Sequence, residues 1–283
     1  MQLPKSIREN LRFLSVEVDS QVANLQTYLR APSTVVGKRI LDRGGYAYNL
    51  KMRIHNSSLN QLARCKKGGA DTLTLRGVEF IATDLERIAE LCRDCNKQIE
   101  YLTDIECLRP KALRAMLERV RLAIHMVEPA IQANDTGLAL KIGQTEAKLD
   151  RDYNKLFKRY IGALKQKKKT EPLISAMFVA HNVEQMGDAL LDISESVISA
   201  NLGQPVNFER YHSLQASVED LETDDELSDV QIERIADTRS GSAIACISAA
   251  EGKNDAYVAI FKDGVKSKLK EERQGVESWH EIY

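Results

Sequence analysis

Apolar residues recur at three- and four-residue steps over long stretches of this chain, with few breakers between them. That pattern admits little but long helices packed side by side. In one stretch the set is Val78, Ile81, Leu85, Ile88, Leu91 and Cys92, followed by Ile99 and Leu102. In another it is Ile174, Met177, Phe178, Met186, Leu190, Ile193, Val197 and Ile198. The spacing predicts six helices, over about 5–30, 43–66, 71–106, 110–133, 135–166 and 171–202. Their connections are short and turn-rich: Ala31-Pro32-Ser33, Lys67-Gly68-Gly69, Asn134-Asp135, Lys169-Thr170-Glu171-Pro172 and Leu202-Gly203-Gln204-Pro205. Long helices joined by such turns pack antiparallel, as bundles. Gly203 with Pro205 is a stop signal for the last helix.

Composition narrows the class. At 283 residues, 43% apolar and 29% charged, the chain is globular and long enough for a core without metals or disulfides. No apolar run reaches the 18–20 residues of a membrane span. The N-terminal charges Lys5, Arg8, Glu9 and Arg12 precede no apolar signal core. The five cysteines (Cys65, Cys92, Cys95, Cys107 and Cys246) read as reduced thiols, and the expected location is the cytoplasm. A net charge of −1 gives no basic excess for nucleic acid.

The rest of the chain changes character. From Glu219 to Asp229 stand seven acids and no base, which leaves +6 on the remainder. Such a block is a solvated linker or a tail that competes for a basic surface. Beyond it residues 230–283 read as three strands and then a helix: the runs Ile244-Ala-Cys-Ile-Ser and Tyr257-Val-Ala-Ile-Phe are strand-like, and 268–283 has helical period. The expected fold class is therefore mostly α. The helical part, 1–212, is followed by an acidic linker (213–235) and a small α+β piece (236–283).

The third and sixth helices repeat one pattern. An acid recurs at i, i+4 and i+8 in each: Glu86, Glu90 and Asp94, then Glu184, Asp188 and Asp192. Four-residue steps stack these groups on one helix face, where like charges repel by a few tenths of a kcal/mol per pair. Three in a row call for a counter-charge, from solvent and lysines or from a bound cation.

Leu85-Glu86-Arg87-Ile88-Ala89-Glu90 and Val183-Glu184-Gln185-Met186-Gly187-Asp188 resemble the repeated L-E-R-I-G-D helix of the PhoU family of phosphate-uptake regulators, and Leu75-Arg76 resembles the start of that helix. The resemblance spans about 200 residues and implies two tandem three-helix bundles, 1–108 and 109–212. It implies a cytoplasmic adaptor between a phosphate-transporter ATPase and a sensor histidine kinase, homodimeric, with no catalysis by the bundle. It also implies a surface metal cluster on E(D)xxxD motifs. Glu146-Ala-Lys-Leu-Asp150 and Glu184 with Asp188 fit that motif, with Asp192 a turn further on and His181 on the same face. The second helix departs from it: Gly45-Tyr46-Ala-Tyr48-Asn49-Leu50-Lys51 holds no acidic pair, so at most one cluster is expected. Carboxylates from two facing helices suit iron, manganese or magnesium. The competing reading is a solvated acidic face balanced by Lys148, Arg151 and Lys155.

Three smaller features complete the reading. Cys92-Arg-Asp-Cys95 lies inside a helix with no second ligand pair, and reads as ordinary buried thiols. Lys165, Lys167, Lys168 and Lys169 form a basic turn, suited to a helix C-terminus or to an acidic partner. At the far end, Tyr257-Val-Ala-Ile-Phe-Lys262 followed by Glu271 and Glu272 resembles the small lobe of aminoglycoside-phosphotransferase-like kinases. There Lys262 and Glu272 would serve a nucleotide, and the chain would be the regulatory front half of a fused kinase. The alternative is a small α+β appendage.

Overall fold

Each of the six helical segments predicted between 5 and 202 forms a helix in the computed structural model. The structure describes residues 3–64, 70–102, 104–166, 170–208 and 211–212, apart from the side chains of 70 and 71. It also describes the backbone of three strands between 231 and 262. In chain order the helices are α1 (Lys5–Arg30), α2 (Thr34–Asp42), α3 (Gly44–Leu62), α4 (Ala70–Glu100), α5 (Pro110–Gln132), α6 (Thr136–Leu164) and α7 (Thr170–Leu202). The short α2 was not anticipated. The 31–33 connection, read as a plain turn, is its cap: Ser33 Oγ accepts from Val36 N at 3.2 Å. The third predicted helix ends at Glu100 rather than 106. There the chain turns into a 3-10 segment, Ile105–Leu108, capped by Asp104, whose carboxylate accepts from Glu106 N at 3.0 Å.

Local chemistry sets the other ends. Asn134 takes a left-handed φ of 51°, which asparagine tolerates. Asp135 then caps α6 by accepting from Leu138 N at 2.9 Å. Gly203 stops α7 with φ 66°. Pro110 sits at the start of α5, where its missing N–H costs nothing.

The chain divides into two compact units, Met1–Phe208 and Glu209–Tyr283. In the first, α1, α3 and α4 make one bundle, with α2 laid against α1 and α4, and α5, α6 and α7 make the other. Corresponding helices of the two bundles meet: α1 packs on α5, and α4 on α7. The last is apolar on nearly every side, burying Leu173, Val179, Val183, Met186, Leu190, Ile193, Val197 and Ile198 against α4, α5 and α6. Two close approaches fix its position. At Gly187 an added Cβ would lie 3.2 Å from Glu146 Cα and 3.0 Å from Leu149 Cδ1 on α6. At Gly77 of α4 it would lie 3.1 Å from the Ser196 carbonyl of α7. The α1–α5 seam is polar instead. Arg121 grips Asp19 with Nε at 2.8 Å and Nη2 at 3.3 Å, and His125 Nε2 lies 3.2 Å from the same carboxylate.

In the second unit, strands β1 (Gln231–Asp237), β2 (Ser242–Ser248) and β3 (Ala256–Lys262) pair antiparallel in the order β1-β2-β3. The two strand-like sequence runs fall inside β2 and β3. The acidic block 219–229 and the predicted helix 268–283 lie outside the described residues. No described helix is long and apolar enough to cross a membrane.

Candidate functional site

The acid ladder of α7 faces α6 along one edge and α4 along the other. Antiparallel packing of α7 on both neighbours puts Asp150 of α6 and Asp84 of α4 in the same electrostatic neighbourhood as Glu184, Asp188 and Asp192. Asp84, Glu184, Asp188 and Asp192 are all shifted upward. Burial raises Glu184, and the charges of Asp188 and Asp150 raise it further. Burial likewise raises Asp188, with Asp150 adding to it while Arg87 and His181 oppose. Asp192 is raised by burial and by Asp188, against Arg87. Asp84 moves most: burial, then Asp192, push its carboxyl up to about 7, and Arg87 only partly offsets this. The Tyr153 hydroxyl on α6 is raised by burial and then by Glu184 and Asp150.

The protein's own cations supply part of the compensation. His181 Nδ1 lies 3.0 Å from Glu184 Oε2, with the His181 ring against Tyr153 at 5.8 Å between centroids. Arg87, from the other bundle, reaches Asp192 at 3.7 Å. The expected counter-charges are therefore corrected in part: Lys155 is engaged by Asp152 at 3.1 Å, and the compensating groups are Arg87 and His181. Glu146 lies on α6 where that helix meets Gly187. Sequence reasoning missed Asp84 and Arg87 as members of this face. Arg87 stands in the quoted α4 repeat and Asp84 directly precedes it, but only the pairing of α4 with α7 brings them to this face.

The donor set is all oxygen with one imidazole, the chemistry of a hard or borderline divalent ion. Among the described residues no three His, Cys, Asp or Glu converge to hold an ion as arranged. Glu184 would have to turn from His181 to join Asp150 and Asp188.

The first bundle treats its ladder differently. Glu86 is only 3% exposed, and Lys51 Nζ of α3 donates to its Oε2 at 2.8 Å. Arg93 stands 3.6 Å from Glu86 and 3.5 Å from Glu90, and Asp94 is paired with Lys97 at 2.9 Å. Cys92 and Cys95 are fully buried, and burial pushes the Cys92 thiol up to about 12 and the Cys95 thiol well above its ordinary value, so both are inert. Lys262 is the last residue of β3, and Glu272 lies outside the described residues.

Comparison with known proteins agrees with this architecture. Residues 113–197, from α5 to α7, match a family model described as the PhoU domain. The phosphate-specific transport system accessory protein PhoU of Escherichia coli K12 is 19% identical over 202 residues, covering 71% of this chain and 84% of that protein. Its homologue in Zymomonas mobilis is 29% identical over 122 residues, 42% of this chain and 52% of that one. Among solved structures, PhoU of Pseudomonas aeruginosa superposes with a TM-score of 0.63 at 18% identity, over 70% of this chain and 96% of that one. The phosphate transport system regulatory protein PhoU of Streptococcus pneumoniae gives 0.64 at 16%, over 71% and 96%. The helical part of this chain thus has the double-bundle fold of the PhoU proteins.

Proposed function

We infer that the chain is a cytoplasmic accessory regulator of phosphate uptake that acts by protein contact and not by catalysis. One observation carries the reading: the match to the PhoU domain lies on α5–α7, within a fold likeness that runs through both bundles. The partners in this reading are the ATPase of a phosphate transporter or a sensor histidine kinase, engaged by a homodimer. Full-length tagged chain, captured from cells grown with and without phosphate, is expected to bring down one of these in a phosphate-dependent amount. Recovery of neither under either condition overturns the reading.

The same proposal gives the acid face of α6 and α7 to an iron, manganese or magnesium ion. Asp150, Glu184 and Asp188 would hold it, with Glu146 and Asp192 at the margins. When bound, the ion would supply a counter-charge to a ladder that Arg87 and His181 neutralise only in part. Purified chain should then retain metal above a Glu184→Ala/Asp188→Ala control, and equal metal content in the two would remove this part of the reading alone.

A further inference from the structure

The two acid-bearing helices differ in charge at positions that the repeat does not share. Setting Glu86 against Glu184 places Glu90 against Asp188, Asp94 against Asp192 and Arg93 against Leu191. Across the helix pair the inversion is completed. The group of α3 that meets Glu86 is Lys51, whereas the groups of α6 that act on Glu184 include Asp150. The first bundle therefore puts an ammonium and a guanidinium around Glu86, where the second bundle sets Asp188, Asp150 and one imidazole, His181, around Glu184.

These cations are built in. The side chains of Lys51 and Arg93 are each 16% exposed around a Glu86 side chain at 4%. The Tyr48 ring covers the ammonium, with Nζ 4.9 Å from its centroid. Gly44 leaves room for the guanidinium: an added Cβ there would stand 2.9 Å from Arg93 Cζ. A divalent ion at Glu86 would face two fixed positive charges within a few ångströms in a weakly screened setting, or would have to expel a buried Lys51.

We propose that Lys51 is a tethered cation that fills the carboxylate position of the first repeat. That repeat takes no divalent ion, and any ion the chain holds is confined to α6 and α7. Where the ion goes rests on the proposed function. Its exclusion from the first repeat does not.

The test uses the full chain with Mn²⁺ alone as probe, measured by equilibrium dialysis. Glu86→Gln in the otherwise unchanged chain should leave bound Mn²⁺ per chain unaltered. Lys51→Asp, and the double change Lys51→Asp/Arg93→Leu that installs second-repeat chemistry, should each gain up to one Mn²⁺ per chain. Adding Glu86→Gln should abolish that gain. Glu184→Gln/Asp188→Asn, dialysed in parallel, reads the second repeat separately, so a chain that binds nothing there leaves the comparison intact. Circular dichroism establishes which variants fold. Loss of Mn²⁺ on Glu86→Gln in the parent chain overturns the proposal, and so does a folded Lys51→Asp chain, single or double, that gains none. If neither aspartate variant folds, the parent against Glu86→Gln decides.

Discussion

Asp84 is the group whose replacement tests the electrostatics of the α4–α7 seam most sharply. Burial and the neighbouring Asp192 raise its carboxyl from 3.8 to about 7 in the folded chain. The folded state therefore holds a proton at pH 5 that the unfolded chain has largely released. Between about pH 4 and pH 7 the folded state binds more protons than the unfolded, so stability falls as pH rises through that window. Above pH 7 the whole penalty is present. The difference caps it at about 4 kcal/mol at 1.36 kcal/mol per tenfold step. Asp84 is only half-buried, so solvent screening brings the expected figure to about 1–2 kcal/mol. Asp84→Asn keeps the shape and removes the charge. In EDTA-containing buffer, urea unfolding followed at 222 nm should show the variant more stable than the parent by that amount at pH 8. The advantage should shrink markedly at pH 5. An Asp84→Asn chain that is equally stabilised at both values, or destabilised at pH 8, would mean that no buried charge at Asp84 weakens the α4–α7 seam.

Three further expectations concern the frame that carries the site. Gly187→Ala drives a methyl to 3.2 Å from Glu146 Cα, and the crowding of about 1–3 kcal/mol should outweigh the roughly 1 kcal/mol gain in helix propensity. Gly162→Ala on α6 meets nothing within 4 Å and should raise the thermal midpoint, so calorimetry that ranks these two alike contradicts the close-packing argument. A double-mutant cycle of Asp19→Ala and Arg121→Ala should give a coupling of about 1–2 kcal/mol between the bundles, read from urea midpoints; additive single effects would mean that the pair does not couple them. Tyr160→Phe deletes the 3.0 Å hydrogen bond to the Leu108 carbonyl and should cost about 1 kcal/mol by the same assay, while no loss would show that the 3-10 turn is held by packing alone.

The long helices were legible because each buries one continuous apolar stripe, and a stripe is a property of one segment. The α2 helix was not. Its nine residues bury only Gly37 and Ile40, too few to make a period, and its β-branched start reads as a connection. The third helix was overextended because Leu102 continues the apolar spacing past Glu100, while the turn that ends it depends on Asp104 further on. The acid ladders were visible as i, i+4 spacing. Two of their counter-charges were not, because these come from other helices: Lys51 of α3 for Glu86 and Arg87 of α4 for Asp192. Lys155, which looked available to the second ladder, is held by Asp152 three residues before it on its own helix. A charge pattern along one helix announces that compensation is needed. Only the packing says who supplies it.

Regulation of phosphate uptake by this double bundle, the proposed function, is read most directly from transport itself. Initial rates of radiolabelled phosphate uptake would be taken from cells with and without the gene, after growth in high and in low phosphate. The ratio of low- to high-phosphate rates is expected to change several-fold on deletion and to return when the full chain is supplied. A ratio identical in parent and deletion strains would contradict the proposed function.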